Sequence, residues 1–207
     1  MSDYLTLRKE SSDEFIEKRS RFIGYAKPVT TQDEAMDFIN SIRAKHWDAT
    51  HNVYAYVLRE GQSRRYSDDG EPSGTAGVPV LDVLLKENIT DCVVVATRYF
   101  GGVLLGAGGL VRAYSHTSKI AVEAAGIIKM SVCSVMSVTC DYNFYGRLTS
   151  LIPEYGGITE DTDFGENVTV RFYLPKENEP LFEAKLVDSS FGKFSAVKIC
   201  EKYAEIE

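Results

Sequence analysis

Two spacings of apolar residues, one typical of strands and one typical of helices, divide the chain into predicted elements. Strands are predicted where apolar and polar positions alternate or where Val, Ile, Tyr and Phe dominate, over residues 4–10, 21–26, 52–58 and 89–100. Helices are predicted where apolar residues recur every three or four positions, over residues 31–45, 79–87 and 107–125. The longest helix is expected to end at Gly126, because glycine accepts the left-handed conformation that often follows a helix.

The last third of the chain has its own order of elements. Strands are predicted over residues 132–142, 158–163, 168–174 and 194–203, and helices over 143–155 and 176–190. The order strand, helix, strand, strand, helix, strand is that of ferredoxin-like folds. We therefore predict an α+β chain of two domains, an N-terminal βα domain over residues 1–131 and a smaller ferredoxin-like domain over residues 132–207.

Composition favours a cytoplasmic protein without membrane contact. Of the 207 residues, 44% are hydrophobic and 26% are charged, which is ordinary for a soluble protein. The first residues lead into charged positions instead of an apolar signal segment, and the aliphatic runs are far too short to span a bilayer. The cysteines form no C-x-x-C pair and lie in strand-like runs, so reduced core thiols are favoured over disulfides or zinc ligands at Cys92, Cys133, Cys140 and Cys200.

Charge is distributed unevenly along the chain. The net charge of −7 argues against a general nucleic-acid binder, but residues 1–130 carry 16 basic and 17 acidic side chains and residues 131–207 carry 7 and 13. The first part is therefore nearly neutral and the second part strongly acidic. We expect a phosphate-bearing partner to meet the local basic clusters of the first part.

A glycine-rich segment joins the strand predicted over residues 89–100 to the helix predicted over 107–125. Its glycines expose backbone N–H groups at a helix start, where an anion is favoured: Gly101, Gly102, Gly106, Gly108 and Gly109. Arg98 and Arg112 bracket the segment with permanent positive charge, and Tyr99 adjoins it. The segment is thus a candidate phosphate-binding site, although glycine-rich loops also arise from tight packing alone.

Four further residues are candidates for the same anion-binding or nucleic-acid-binding surface. They are Arg21, His51, Arg64 and Arg65. For His51 a structural role within its loop is preferred, and for the basic run around Arg21 a solvated strand face is preferred. No Ser/His/Asp or Cys/His arrangement is recognisable, so no catalytic residue is assigned.

An acidic loop follows Arg64 and Arg65. Carboxylates, glycines and a proline are so dense over residues 64–77 that no regular element is expected there. The side chains of Asp68, Asp69 and Glu71 are candidate oxygen ligands for Mg²⁺, with a phosphate bridging to the two bracketing arginines. The alternative, which is preferred because the spacing matches no known metal loop, is that these acids pair with the arginines or lie at the start of the next helix.

Two motifs carry a resemblance to a known family. Residues 67–77 read S-D-D-G-E-P-S-G-T-A-G, and residues 93–114 read V-V-V-A-T-R-Y-F-G-G-V-L-L-G-A-G-G-L-V-R-A-Y. Through them, and through Ser20-Arg21-Phe22 and His51, the chain resembles the bacterial YigZ-like branch of the IMPACT family. The resemblance implies a first domain similar to a ribosomal-protein domain, to domain four of elongation factor G and to small-molecule kinases of the GHMP class, and a second domain similar to domain five of that factor.

The resemblance also implies a class of function. The paired domains suggest contact with RNA or the ribosome, and eukaryotic family members regulate translation initiation by competing for an activator of a stress kinase. Those members carry an additional N-terminal RWD domain, whereas this chain begins directly with Tyr4-Leu5-Thr6. Only the notion of a translation-linked regulator therefore carries over, and the family brings no catalytic residues.

Three hypotheses follow for the function. The preferred one is a cytosolic, non-enzymatic regulator whose first domain binds nucleic-acid phosphates or a protein partner. The second is an enzyme that acts on a phosphorylated small molecule with a divalent metal such as Mg²⁺. The third is a docking module in which both loops contact a protein and phosphate is irrelevant.

Overall fold

The computed structural model describes residues 3–206, and in it the chain forms two compact units. The first is Tyr4–Ile128, and the second comprises Asp3 and the residues from Lys129 onward. Met1, Ser2 and Glu207, which belong to the predicted domain ranges, lie outside the described residues. No helix within residues 3–206 is both long enough and apolar enough to cross a bilayer.

The first unit is built on a five-stranded antiparallel sheet. Its elements in chain order are β1 (Tyr4–Leu7), β2 (Ser11–Glu17), β3 (Ser20–Pro28), α1 (Gln32–Lys45), β4 (His51–Val57), β5 (Arg64–Ser67), α2 (Gly77–Lys86), β6 (Cys92–Tyr99) and α3 (Ala107–Ala125). The strand order in the sheet is β2-β3-β6-β4-β5. The strand predicted over residues 89–100 is thus the central one, and the helix predicted over 107–125 has the predicted bounds.

Helices cover both faces of this sheet. On one face, Ile23, Val93 and Val95 pack with Phe38 and Ile39 of α1. On the other face, the core is shared by β3, β4, β6, α2 and α3, with Phe22, Val94, Val80, Leu110 and Tyr114 among its members. Every residue of β6 from Cys92 to Arg98 is buried, which explains its continuous apolar sequence.

Local signals fix where the helices lie. Thr31 caps α1 by accepting a hydrogen bond from the Glu34 N–H at 3.2 Å, as expected of a helix start. Helix α3 ends at Gly126, which has φ 74° and donates its N–H to the carbonyls of Val122 and Glu123. A Cβ at Gly24 would lie 2.4 Å from the Thr117 carbonyl oxygen, so this glycine lets α3 pack closely on β3.

The bounds of two edge strands were not predicted. The prediction of no regular element over residues 64–77 is wrong at its start, because Arg64–Ser67 form β5 against β4. Strand β2 was predicted only as a solvated strand face in the basic run before Arg21, without bounds of its own. It reaches β3 through a two-residue turn in which Lys18 and Arg19 have φ 45° and 68°. Both strands are largely exposed, so neither shows the apolar pattern of a buried strand.

The second unit has the predicted ferredoxin-like topology. Its elements are β7 (Ile127–Cys140), α4 (Tyr142–Glu154), β8 (Ile158–Phe164), β9 (Val168–Pro175), α5 (Glu179–Ser189) and β10 (Ala196–Glu205). The strand order β8-β9-β7-β10 is antiparallel throughout. Its core joins the sheet to both helices through Met136, Leu148, Phe172, Phe182 and Leu186. The predicted α+β fold class is confirmed.

The four cysteines are free thiols, and three of them are buried. Burial raises the pKa of Cys92 to about 12, so this thiol is unreactive near neutral pH. Cys200 is exposed, so its prediction as a core thiol is wrong. The cause is its position in β10, an edge strand whose residues around Cys200 face outward.

Candidate functional site

The two loops singled out by the sequence meet at one end of the central strand β6. Together with the start of β4 they enclose a cavity of about 370 Å³, which we call the interloop cavity. Its polar lining comes from Thr50, His51, Glu71 and Arg98. Its apolar lining comes from Pro72 of the acidic loop and from Phe100, Leu104, Leu105 and Leu110 of the glycine-rich segment and α3.

A buried ion pair forms the polar side of this cavity. The Nη1 atom of Arg98 donates to Glu71 Oε1 at 2.6 Å, and the two residues are only 4% and 8% exposed. The hydroxyl of Tyr114 donates to the same oxygen at 2.8 Å. Burial, and then the Glu71 carboxylate, raises the pKa of Tyr114, so its phenol stays protonated. Glu71 Oε2, in contrast, accepts no hydrogen bond from any residue between 3 and 206.

The guanidinium of Arg98 is enclosed by its neighbours. It lies 5.4 Å from the ring centroid of Phe22 and 5.3 Å from that of Phe100, and its Nη2 donates to Ser20 Oγ at 3.3 Å. Its Nε–H is buried and has no acceptor among the described residues. Arg98 is therefore the internal partner of Glu71, and it is not an exposed phosphate ligand of the kind that the sequence suggested.

His51 is held in one orientation beside this pair. Its Nδ1 lies 2.8 Å from the backbone carbonyl of Asp69, and because a carbonyl only accepts, Nδ1 carries the proton. Its Nε2 lies 3.7 Å from Glu71 Oε1. The ring therefore fixes the acidic loop and also lines the interloop cavity.

The other two carboxylates of the acidic loop, Asp68 and Asp69, are held by hydrogen bonds and an ion pair within the first unit. Asp68 Oδ1 accepts the N–H groups of Ala76 and Gly77 at 3.1 and 2.8 Å, so it caps the start of α2. Asp69 accepts from the Asn52 N–H at 2.6 Å and pairs with Arg43 at 2.9 Å. Within the described part of the chain, no three His, Cys, Asp or Glu side chains are grouped to hold a metal ion.

The glycines of the second loop have different physical roles. A Cβ at Gly101 would lie 2.1 Å from the backbone of Arg19, so tight packing requires this glycine. Gly102 and Gly106 adopt φ 81° and 72°, the left-handed region that favours glycine. A Cβ at Gly109 would lie 2.9 Å from that of Leu105.

The start of α3 leaves backbone donors without partners. The Leu110 N–H bonds to the Gly106 carbonyl at 2.9 Å, whereas the N–H groups of Ala107, Gly108 and Gly109 have no acceptor in the described structure. These three residues are the first turn of the helix, where the positive end of the helix dipole also lies. Such an arrangement binds anions.

Arg112 adds a full positive charge at this helix start. It is exposed, and it forms no ion pair with the residues that the structure describes. Its Nη1 would lie 3.9 Å from a Cβ at Gly108, so the guanidinium extends back towards the first turn. Arg112 also lines a second cavity of about 280 Å³ with Lys18 and His116.

The remaining predicted side chains do not line the interloop cavity. Arg21 is exposed and pairs with Glu14 at 2.6 Å, which raises the pKa of Arg21. The hydroxyl of Tyr99 donates to Asp48 and lies 2.8 Å from His46 Nδ1.

Arg64 and Arg65 are exposed on edge strand β5, where they pair with Val57 and Tyr56 of β4. His51 lies at the other end of β4, roughly 20 Å away at the rise of an extended strand.

Three residues of the site were not predicted to belong to it. Ser20 Oγ accepts hydrogen bonds from the Gly101 N–H and from Arg98 Nη2. The Tyr114 hydroxyl, on α3, donates a hydrogen bond to Glu71. Leu104 is 83% exposed at the rim of the cavity. In the sequence, Tyr114 shows only the helical spacing of a core residue, and Leu104 shows only an apolar run, so neither gave a signal for this site.

Comparison with known proteins places both units in described families. Residues 18–122 match the Impact N-terminal domain, and residues 138–193 match a domain of unknown function, DUF1949. The chain is 36% identical to the IMPACT family member YvyE of Bacillus subtilis over 93% of this chain and 89% of that protein. It is 34% identical to the IMPACT family member YigZ of Escherichia coli, over 89% and 92%.

A solved structure, described as the crystal structure of a hypothetical protein, is similar over almost the whole chain. It has a TM-score of 0.61 and 32% sequence identity, and the similarity covers 97% of this chain and 98% of that one. The two-domain α+β architecture is therefore shared with an experimentally determined fold. On these matches, the chain belongs to the IMPACT family.

Proposed function

We propose that this protein is a cytosolic, translation-linked regulator whose first unit binds the phosphates of an RNA strand at the start of α3. The observation that carries the proposal is the set of unpartnered N–H groups of Ala107, Gly108 and Gly109 beside the exposed guanidinium of Arg112. Backbone donors and a fixed positive charge are the two elements that hold a phosphate.

The surface around the helix start fits a strand of several phosphates. Lys18 and Arg19 are exposed in the β2–β3 turn, whose backbone touches the glycine-rich segment at Gly101. They add positive charge on the same side as Arg112, which lines a cavity with Lys18. Local basic charge supports phosphate binding even in a chain with net charge −7.

Exposed apolar side chains next to these charges favour a single strand over a duplex. Phe100 and Leu104 are 45% and 83% exposed at the rim of the interloop cavity. Aromatic and apolar surface beside a basic groove is the usual platform for unstacked bases. This combination is the reason for proposing RNA as the ligand in preference to a protein.

The enzyme hypothesis has less support. Both oxygens of Asp68, both oxygens of Asp69 and one oxygen of Glu71 accept hydrogen bonds from groups of the first unit, so most of these oxygens already have internal partners. A thermal-shift screen with nucleotides and Mg²⁺ distinguishes the enzyme hypothesis from the regulator hypothesis. Stabilisation that Asp69→Asn abolishes would support the enzyme and count against the regulator.

The proposal predicts that Arg112→Ala weakens RNA binding and reduces its dependence on salt. Each neutralised phosphate of a single strand contributes about 0.7 to the slope of log K against log salt, so the slope is expected to fall by roughly that amount. The measurement is fluorescence anisotropy of a labelled single-stranded RNA across a series of KCl concentrations.

Arg64→Ala is the matched control for this experiment. It removes the same charge from the exposed strand β5, at the far end of β4 from His51, and is expected to leave the slope nearly unchanged. Equal slopes of log K against log salt for the wild type and both variants would show that no phosphate binds at the start of α3. Binding that survives nuclease treatment of a pulled-down complex would favour a protein partner instead.

A further inference from the structure

Resting on the proposed function, we infer that the interloop cavity receives one base of the bound strand and selects an amino-bearing base over uracil through Glu71. The cavity and the phosphate site share residues, because Gly106 and Ala107 line the cavity and also begin α3. A phosphate held by the first turn of α3 therefore places its neighbouring base at the mouth of the cavity.

The walls of the cavity suit a flat ring. Phe100, Leu104 and Pro72 provide apolar contact, and a cavity of about 370 Å³ lies in the range of ordinary small-ligand sites. The Arg98 guanidinium lies 5.3 Å from the ring centroid of Phe100 and packs against one face of that ring. Base stacking on such a side chain tolerates any base and gives affinity without selection.

Selection comes from the polar groups that lack partners. Glu71 Oε1 accepts hydrogen bonds from Arg98 and Tyr114. Glu71 Oε2 accepts no hydrogen bond from residues 3–206, although Glu71 as a whole is only 8% exposed. The Arg98 Nε–H is buried and also without a partner. An accessible carboxylate oxygen without a partner and a buried donor without a partner, both at this cavity, point to a ligand that brings a donor and an acceptor of its own.

The chemistry of a carboxylate decides which bases fit. A carboxylate paired with a guanidinium accepts hydrogen bonds and does not donate. Cytosine, adenine and guanine each carry an exocyclic amine that can donate to Glu71 Oε2, and in cytosine and adenine a ring nitrogen acceptor lies beside it. Uracil has one donor on this edge, N3–H, but it lies between two carbonyl oxygens. A uracil that donates to Glu71 Oε2 therefore brings a carbonyl oxygen close to the carboxylate on both sides, whereas the cytosine amine has an acceptor on one side only.

The test compares oligocytidine with oligouridine of equal length, because the two bases have the same size and differ in this edge. Fluorescence anisotropy with the full chain is expected to give about tenfold tighter binding of oligocytidine, within the usual discrimination between bases at one hydrogen-bonded contact. Glu71→Gln keeps an oxygen for Arg98 and Tyr114 and replaces Oε2 with an amide donor, so it is expected to abolish or reverse the preference.

A second variant tests the same cavity in case Glu71→Gln fails to fold. Ala107→Leu adds an isobutyl group to a residue that lines the cavity, and it is expected to weaken oligocytidine binding to the level of oligouridine. Ala44→Leu makes the same change at an exposed position of α1, outside the cavity, and is expected to leave the preference intact.

The outcomes separate this inference from the function on which it rests. Equal, salt-dependent binding of both oligomers that Arg112→Ala weakens would overturn base selection and leave the phosphate site standing. Failure of both oligomers to bind would overturn both. A preference for cytidine monophosphate over uridine monophosphate, equal in size to that of the oligomers, would support the pocket and assign it to a free nucleotide.

Discussion

Glu71→Ala is expected to lower the free energy of unfolding of the first unit by about 3–5 kcal/mol, the usual effect of removing one member of a buried ion pair. Arg98, which is 4% exposed in the wild type, would keep only Ser20 and two aromatic rings as the neighbours of its guanidinium. Tyr114 would lose its acceptor as well. A buried charge and a buried hydroxyl would thus be left without their acceptor at the same time.

The measurement is urea unfolding followed by circular dichroism and by the fluorescence of Trp47, the one tryptophan of the chain, which lies in the first unit. The double variant Glu71→Leu with Arg98→Met removes both charges, and it is expected to be more stable than Glu71→Ala alone. A loss below about 1 kcal/mol for the single variant would show that the pair contributes no more than a surface salt bridge.

The sequence predicted most of the fold because buried elements carry periodic patterns. The apolar run of β6 and the helical spacing of α3 were sufficient to place both elements, and α3 has the predicted bounds. The edge strand β5 was missed, and β2 was predicted only as a solvated strand face without bounds. Both strands are exposed, and an edge strand is held by backbone pairing that leaves no apolar signature.

The candidate site was only partly predictable, because its contacts are long-range. Glycine and arginine spacing singled out the two loops, but the choice between metal binding and internal pairing for the acidic loop depends on which side chains meet. Glu71 and Arg98 are 27 positions apart, and the pairing follows from the acidic loop folding over β6. The sequence also grouped Arg64 with the site, although strand register places it at the far end of β4.

Gly101→Ala is expected to destabilise the first unit by about 1–3 kcal/mol, the usual effect of overpacking. The added methyl group would lie 2.1 Å from the carbonyl carbon and oxygen of Arg19, and these are backbone atoms that cannot rotate away. The β2–β3 turn or the glycine-rich segment must therefore shift. Either movement breaks the hydrogen bond from the Gly101 N–H to Ser20 Oγ, and Ser20 also supports Arg98.

Gly108→Ala is the matched control, and the two substitutions are expected to have opposite signs. Gly108 lies in the first turn of α3 without a positive φ, and the nearest atom to an added Cβ is Arg112 Nη1 at 3.9 Å. Alanine is favoured over glycine in a helix by up to about 1 kcal/mol, so this variant should be as stable as the wild type or more stable. Urea unfolding of both variants gives the comparison. If Gly101→Ala were as stable as Gly108→Ala, the close approach of the two loops would not be needed to hold the fold, and the site at the start of α3 would lose its structural basis.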